Sequence, residues 1–114
     1  MLSTKLAAPV ADPGGGQYYE KCNYSGGCIF TTAGASPGLV RDYRNSTGLA
    51  GVMTIQMPAS NAVDLNGANG ATAGCLVSGG ALGDEIIIKS DSTNHWDATV
   101  VSGTFTAASG SGCL

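Results

Sequence analysis

The chain has little that reacts and little that fills space. Of its 114 residues seven are aromatic, thirteen are charged and one is histidine. A Ser, His and carboxylate site needs a base held by a third group, and His95 is the one imidazole available. Its neighbours Ser90, Asp91, Ser92 and Asp97 lie in or beside a stretch of turn formers, where Ser, Asp and Asn bond their own backbone, so no catalytic residue is assigned. Paired carboxylates of glycosidases work in clefts with aromatic platforms, and seven aromatic rings leave little to build one. The absence of any CxxC or HxxxH pair sets zinc aside. Residues 64–69 and 91–94 lack the spacing of a calcium loop, and Gly14-Gly15-Gly16 lacks the Gly-Lys-Ser/Thr ending of a phosphate loop. The chain is read as a non-enzyme with no cofactor and no metal.

Positive charge is also scarce. Five Lys and Arg stand against eight Asp and Glu, a formal charge of −3, and a pI near 4.7 disfavours a nucleic-acid partner. No stretch approaches the roughly 20 apolar residues of a membrane span, and Met1 to Asp12, with Lys5 alone, has no long apolar core of a leader. Cytosolic synthesis is therefore expected, with Cys22, Cys28, Cys75 and Cys113 as reduced, buried thiols; if oxidised, three pairings stay open. The sequons Asn23-Tyr24-Ser25 and Asn45-Ser46-Thr47 are discounted for the same reason.

What is present is small. Gly, Ala, Ser and Thr fill 54 of 114 positions. A chain of this mass buries roughly 65% of its extended surface, and each of its eighteen glycines loses backbone freedom without bringing a side chain to bury. A neighbouring surface would supply the apolar contact the chain lacks, so it is expected to work bound to something larger.

Residues 1–17, with Pro9, Pro13 and three consecutive glycines, read as an extended Pro/Gly-rich arm. Residues 18–114 read as one β domain. Cys28 to Thr32 is rich in branched and aromatic types, and Leu39 to Tyr43 reads as a second strand. Met53, Ile55 and Met57 alternate with Thr54 and Gln56, the period of a strand. Asn66-Gly67 and Asn69-Gly70 suit tight turns, and Thr72 to Ser78 is a further strand. Asp84 to Lys89, a turn over Ser90 to Asn94 and a return over His95 to Phe105 make a hairpin. The fold expected is all-β: a single small β-sandwich or open barrel of about six to eight short antiparallel strands behind the extended arm. Tyr18, Tyr19 and Trp96 are the candidate interface anchors, and the arm, Lys5 to Tyr19, can add an extended segment to a neighbour.

The stretch GDEIIIKSDSTNHWDATVVSGTFTA, residues 83–107, resembles the closing hairpin of small tailed-bacteriophage virion proteins. There a strand of branched residues enters a Ser/Asp/Asn turn, an Asn-x-Trp step (Asn94, His95, Trp96) and a strand ending near Gly-Thr. Met53-Thr54-Ile55-Gln56-Met57-Pro58 is similar to a strand those proteins carry upstream. Among them, a chain this short without coiled-coil heptads most resembles the capsid decoration (cement) proteins. The resemblance implies a virion structural protein made in the host cytoplasm and seated on the capsid surface. Its partner would be the major capsid protein, with self-association on the shell, for example as a trimer, and with no membrane partner. The alternatives are a tail, baseplate or head-fibre module contacting the host, or a non-viral carbohydrate-binding or adhesion β module.

Overall fold

Small and β-branched residues at period two build strands throughout the chain. The computed structural model describes residues 2–3, 10–12, 14, 16–22, 26–46, 51–109 and 113. Two two-residue strands, β1 (Leu2–Ser3) and β2 (Val10–Ala11), precede nine longer ones: β3 (Gln17–Cys22), β4 (Cys28–Thr31), β5 (Val40–Asn45), β6 (Met53–Gln56), β7 (Ala62–Leu65), β8 (Cys75–Ser78), β9 (Glu85–Ser92), β10 (His95–Ser102) and β11 (Phe105–Ala108). No helix occurs among the described residues.

The strands form a six-stranded sheet, β1-β3-β5-β9-β10-β7, and a five-stranded sheet, β11-β8-β6-β4-β2. From β1 to β9 every strand lies in the sheet opposite to its predecessor. Through β6 each return to a layer keeps the chain's direction, so β1, β3 and β5 are parallel neighbours, as are β2, β4 and β6, whereas β8 and β9 return reversed and pair antiparallel with β6 and β5. The all-β expectation holds, and the two layers are consistent with a sandwich; the expectation of antiparallel strands is corrected, since both sheets are mixed, with more strands than the six to eight anticipated. The hairpin expectation holds for β9 and β10, which pair antiparallel from Ser92 and His95 outward. Its return strand stops at Ser102, however, and Phe105–Ala108 crosses to pair with β8 in the other sheet.

One core lies between the sheets. Phe30, Met53, Ile55 and Leu76 from the five-stranded sheet join Tyr43, Val63, Ile86, Ile88 and Trp96 from the six-stranded one, and the Phe30 and Tyr43 rings meet across the layers at 5.2 Å. Each fully buried Ile or Met stabilises by about 1.5–3 kcal/mol relative to exposure. The alternation read from sequence is kept, with Met53, Ile55 and Met57 all buried. Strand β7 precedes the Asn66-Gly67 turn, where the sequence reading places no strand. It is held by its surroundings: the buried Asn61 accepts the Ala35 N–H at 2.7 Å, and the Ala62 N–H donates to the Asn94 carbonyl at 3.0 Å. Asn66 and Gly67 have φ of 50° and 87°, the tight-turn conformation expected for that pair.

The described parts of residues 1–17 run along this chain's own sheet edges. Leu2–Ser3 pairs with Lys21 and Cys22, and Val10–Ala11 pairs with Phe30 and Thr31. Residues 1, 4–9, 13 and 15, Lys5 among them, lie outside the described residues.

All four cysteines form disulfides, Cys22–Cys28 and Cys75–Cys113, which corrects the reduced-thiol expectation. Because β3 and β4 belong to different sheets, the first bridge joins the two layers over six residues of sequence. The second closes 38 residues and ties Cys113 to β8.

Candidate functional site

Alternation along β3, β5, β9 and β10 sends one set of side chains into the core and the other onto the outer face of the six-stranded sheet. Two polar constellations stand on that face, at opposite sides of the sheet.

The first is built on β10 and β7, whose parallel register sets Asp97 opposite Asp64. Directly opposed like charges destabilise a sheet unless something offsets them. Here the offset is His95: Nε2 lies 3.0 Å from Asp64 Oδ2 and Nδ1 lies 3.2 Å from Asp91 Oδ1. With both ring nitrogens facing carboxylates, the imidazolium is the form that donates to each. The bonds to Asp91 and Asp64 raise the His95 pKa above its ordinary value, and the bond from His95 holds Asp91 below the usual carboxylate range. Asp97 is pushed up, by burial first and by its bond to Asp91 next. Asp64 is further oriented by accepting the Gly70 N–H at 3.3 Å.

One nitrogen or oxygen from each of Asp64, His95 and Asp97 lies within 4.8 Å of the others, a donor set that can approach one divalent cation. Sequence reading put the neighbours of His95 down to turn chemistry and saw no ligand set. The structure corrects this for Asp91, whose carboxylate reaches the ring, and adds Asp64 from 31 residues away, which no local pattern signalled. Ser90 instead faces the core, where its hydroxyl donates to the Ser36 carbonyl.

The second constellation lies on β3 and β5. Their register sets Gln17 opposite Val40, Tyr18 opposite Arg41 and Tyr19 opposite Asp42. Gln17, Tyr18, Tyr19, Val40 and Asp42 line an open depression of about 370 Å³. Tyr19 is 41% exposed. Asp42 is half-buried, and its Oδ1 is buried without a hydrogen-bond partner. Burial first, and a hydrogen bond to the Glu85 carboxyl next, push the Asp42 pKa up to about 7. Glu85 in turn stands 3.6 Å from Arg44 Nη1.

Beneath this depression the interior is polar as well. Arg41 is fully buried; its Nε donates to Asp12 Oδ2 at 2.5 Å and its Nη2 to Asp12 Oδ1 at 3.0 Å, a two-pronged pair. Burial raises the Asp12 pKa, but the Arg41 bond and the Gly14 N–H outweigh it and leave the carboxyl below the usual range. The Tyr18 ring centroid lies 5.8 Å from the Arg41 guanidinium carbon, within cation–π range. Glu20, on the same inward side of β3, is 2% exposed, and its Oε1 has no hydrogen-bond partner. Burial first, and Asp12 nearby, raise its pKa to about 7.

Of the three residues expected to anchor an interface, the structure brings Tyr18 and Tyr19 together at the depression and places Trp96 elsewhere. Trp96 is wholly buried in this chain's own core; it offers no surface to a partner, and its interface role is corrected to core packing. Asn45 of the second sequon is buried and donates to the Gly51 and Ala81 carbonyls at 2.9 and 3.0 Å, so its amide is committed inside the fold. The first sequon, residues 23–25, lies outside the described residues.

No known protein family, curated protein or solved structure matches this chain.

Proposed function

We propose that this protein is a virion structural module of a tailed bacteriophage, a small β-sandwich that binds the outside of the capsid shell as a decoration (cement) protein. The observation that carries the reading is the β9–β10 hairpin: branched residues Ile86 to Ile88, a turn at Thr93 and Asn94, and the Asn94-His95-Trp96 step, with Trp96 locked into the core. Two disulfides across a small, Gly-rich fold suit a protein that spends its working life on an exposed surface, where thiols oxidise and the core alone stabilises modestly. The partner is the major capsid protein, contacted together with neighbouring copies of this chain. A ligand that binds the assembled lattice better than separate subunits stabilises that lattice by mass action, and many weak contacts on one particle suffice.

Gold-labelled antibody against the chain, imaged on its parent particles, is expected to decorate the head. Particles lacking the protein are expected to lose their DNA at lower temperature than complete ones. Label confined to the tail or fibre tips would replace this reading by a host-contacting module, and unlabelled particles would remove the virion assignment.

A further inference from the structure

We infer that Asp64, His95 and Asp97 form a binding site for one divalent transition-metal ion of the zinc type, which staples the edge strand β7 to the β9–β10 hairpin. The inference goes beyond the proposed function and does not depend on where the protein sits. Asp64 comes from β7, His95 and Asp97 from β10, and the parallel register brings them together on the outer face. One ligand atom from each lies within 4.8 Å of the others. The set is mixed, an imidazole nitrogen with two carboxylates, which suits zinc better than calcium with its about six to eight oxygens. Strand pairing assembles it, so the sequence-based exclusion of zinc, which rests on spacing, does not reach it.

The orientation of the ring carries the argument. Nδ1 lies 3.2 Å from Asp91 Oδ1, and donating its proton there leaves Nε2 with a lone pair that faces Asp64 Oδ2 at 3.0 Å. Two lone pairs at that distance repel unless a proton or a cation stands between them. An ion with tetrahedral bonds of about 2.0–2.2 Å holds its ligand atoms about 3.4 Å apart, so small shifts of Asp64 and His95 admit it. Asp91 then takes the outer place of a carboxylate–histidine–metal arrangement and fixes the tautomer. Charge points the same way. Three carboxylates, Asp64, Asp91 and Asp97, surround one imidazole, and Lys89, opposite Asp97 on β9, is exposed and forms no ion pair with them. A proton on Nε2 supplies one positive charge to that set, and a divalent ion supplies two. The His95 and Asp64 side chains are partly exposed, so an ion can enter from solvent and water can complete its coordination.

The test uses the full, untagged chain with both disulfides intact, freed of metal by a chelator and titrated with zinc chloride by calorimetry and NMR. One equivalent is expected to bind, with the His95 Nε2 nitrogen-15 resonance moving to the position of a coordinated imidazole while Nδ1 keeps its proton. Asp64→Asn and Asp97→Asn, near-isosteres that leave the strands paired, are each expected to weaken zinc binding by about 100-fold. Asp91→Asn should weaken it by about tenfold, the loss of an outer partner. The nitrogen-15 readout on the unsubstituted chain decides the question even where a variant is less stable. No saturable uptake, uptake left intact in both Asp64→Asn and Asp97→Asn, or zinc binding that leaves the His95 nitrogens unmoved would each overturn the site, as would displacement of zinc by an equal concentration of calcium chloride.

Discussion

The two sides of the six-stranded sheet manage charge in opposite ways. At the β10–β7 side the inner face is apolar, with Trp96, Val63 and Ala98 buried, and charge is kept to the outer face, where His95 stands between Asp64 and Asp91. At the β3–β5 side both faces are polar: Arg41, Asp12 and Glu20 inside, Asp42 and Glu85 outside. The first side carries its own counter-charge on a titratable ring. The second holds Asp12, Glu20, Asp42 and Glu85 around Arg41 and Arg44, and leaves oxygens of Glu20 and Asp42 unbonded. A fold selected only for stability would lose little by replacing that polar interior with hydrocarbon. The contrast is one of charge: the side where carboxylate oxygens go unbonded is also the side with the open depression, while the unpartnered group on the other side is the neutral Trp96 Nε1.

The hardest blow to the contrast is removal of the buried carboxylate. Asp12→Ala strips Arg41 of its two-pronged partner and is expected to cost about 3–5 kcal/mol in urea unfolding. The double variant Asp12→Ala/Arg41→Met should recover most of that loss, since a hydrophobic replacement of the whole pair is close to neutral. If the double variant stays as unstable as the single one, the polar interior contributes stability and the distinction between the two sides fails.

A smaller and pH-dependent effect belongs to Glu20. Its ordinary value is 4.5 and its folded value about 7, so the folded state holds a proton that the unfolded chain gives up. Stability therefore falls as pH rises from about 4.5 to about 7, and is flat on either side. Glu20→Gln is expected to remove this slope, read as urea midpoints across the pH range, and wild type and variant with parallel profiles would exclude an uncompensated carboxyl at that place.

The smallest effect is expected at the His95 side. Because the folded pKa of His95 lies above its ordinary 6.5, its pairs contribute fully below pH 6.5 and the contribution is lost as pH climbs through the higher folded value. The site is solvent-accessible, so Asp64→Asn should cost less than about 1 kcal/mol at pH 6 and nothing at high pH. The His95 ring titration followed by NMR should move down in that variant. A titration unchanged by Asp64→Asn would show that the 3.0 Å contact does not hold the proton.

Part of this was legible from residues alone. The alternation of Met53, Ile55 and Met57, the branched run Ile86 to Ile88 and the Asn66-Gly67 turn each report local sterics, and each stands in the fold as expected. Tyr18 and Tyr19 were singled out as aromatic interface anchors, and both line the open depression. Asp42 and Glu85 were passed over: they are 43 residues apart and touch only because β5 and β9 pair. Strand β7 escaped for a related reason, since Ala62 to Leu65 is shaped by Asn61, Ala35 and Asn94 rather than by its own propensity.

The sequence alone settles the apolar alternation of Met53, Ile55 and Met57, the bend at Asn66-Gly67 and the predominance of strands, because these follow from period and backbone preference within a few residues. The burial of Arg41 and Glu20 does not follow from them. Which strand lies beside which was decided by tertiary structure. A period of two identifies a buried face but is blind to the sheet that face belongs to, so the layer-by-layer winding, the cross-sheet Cys22–Cys28 bridge and the meeting of Tyr19 with Asp42 exist only once the two layers have closed on a common core.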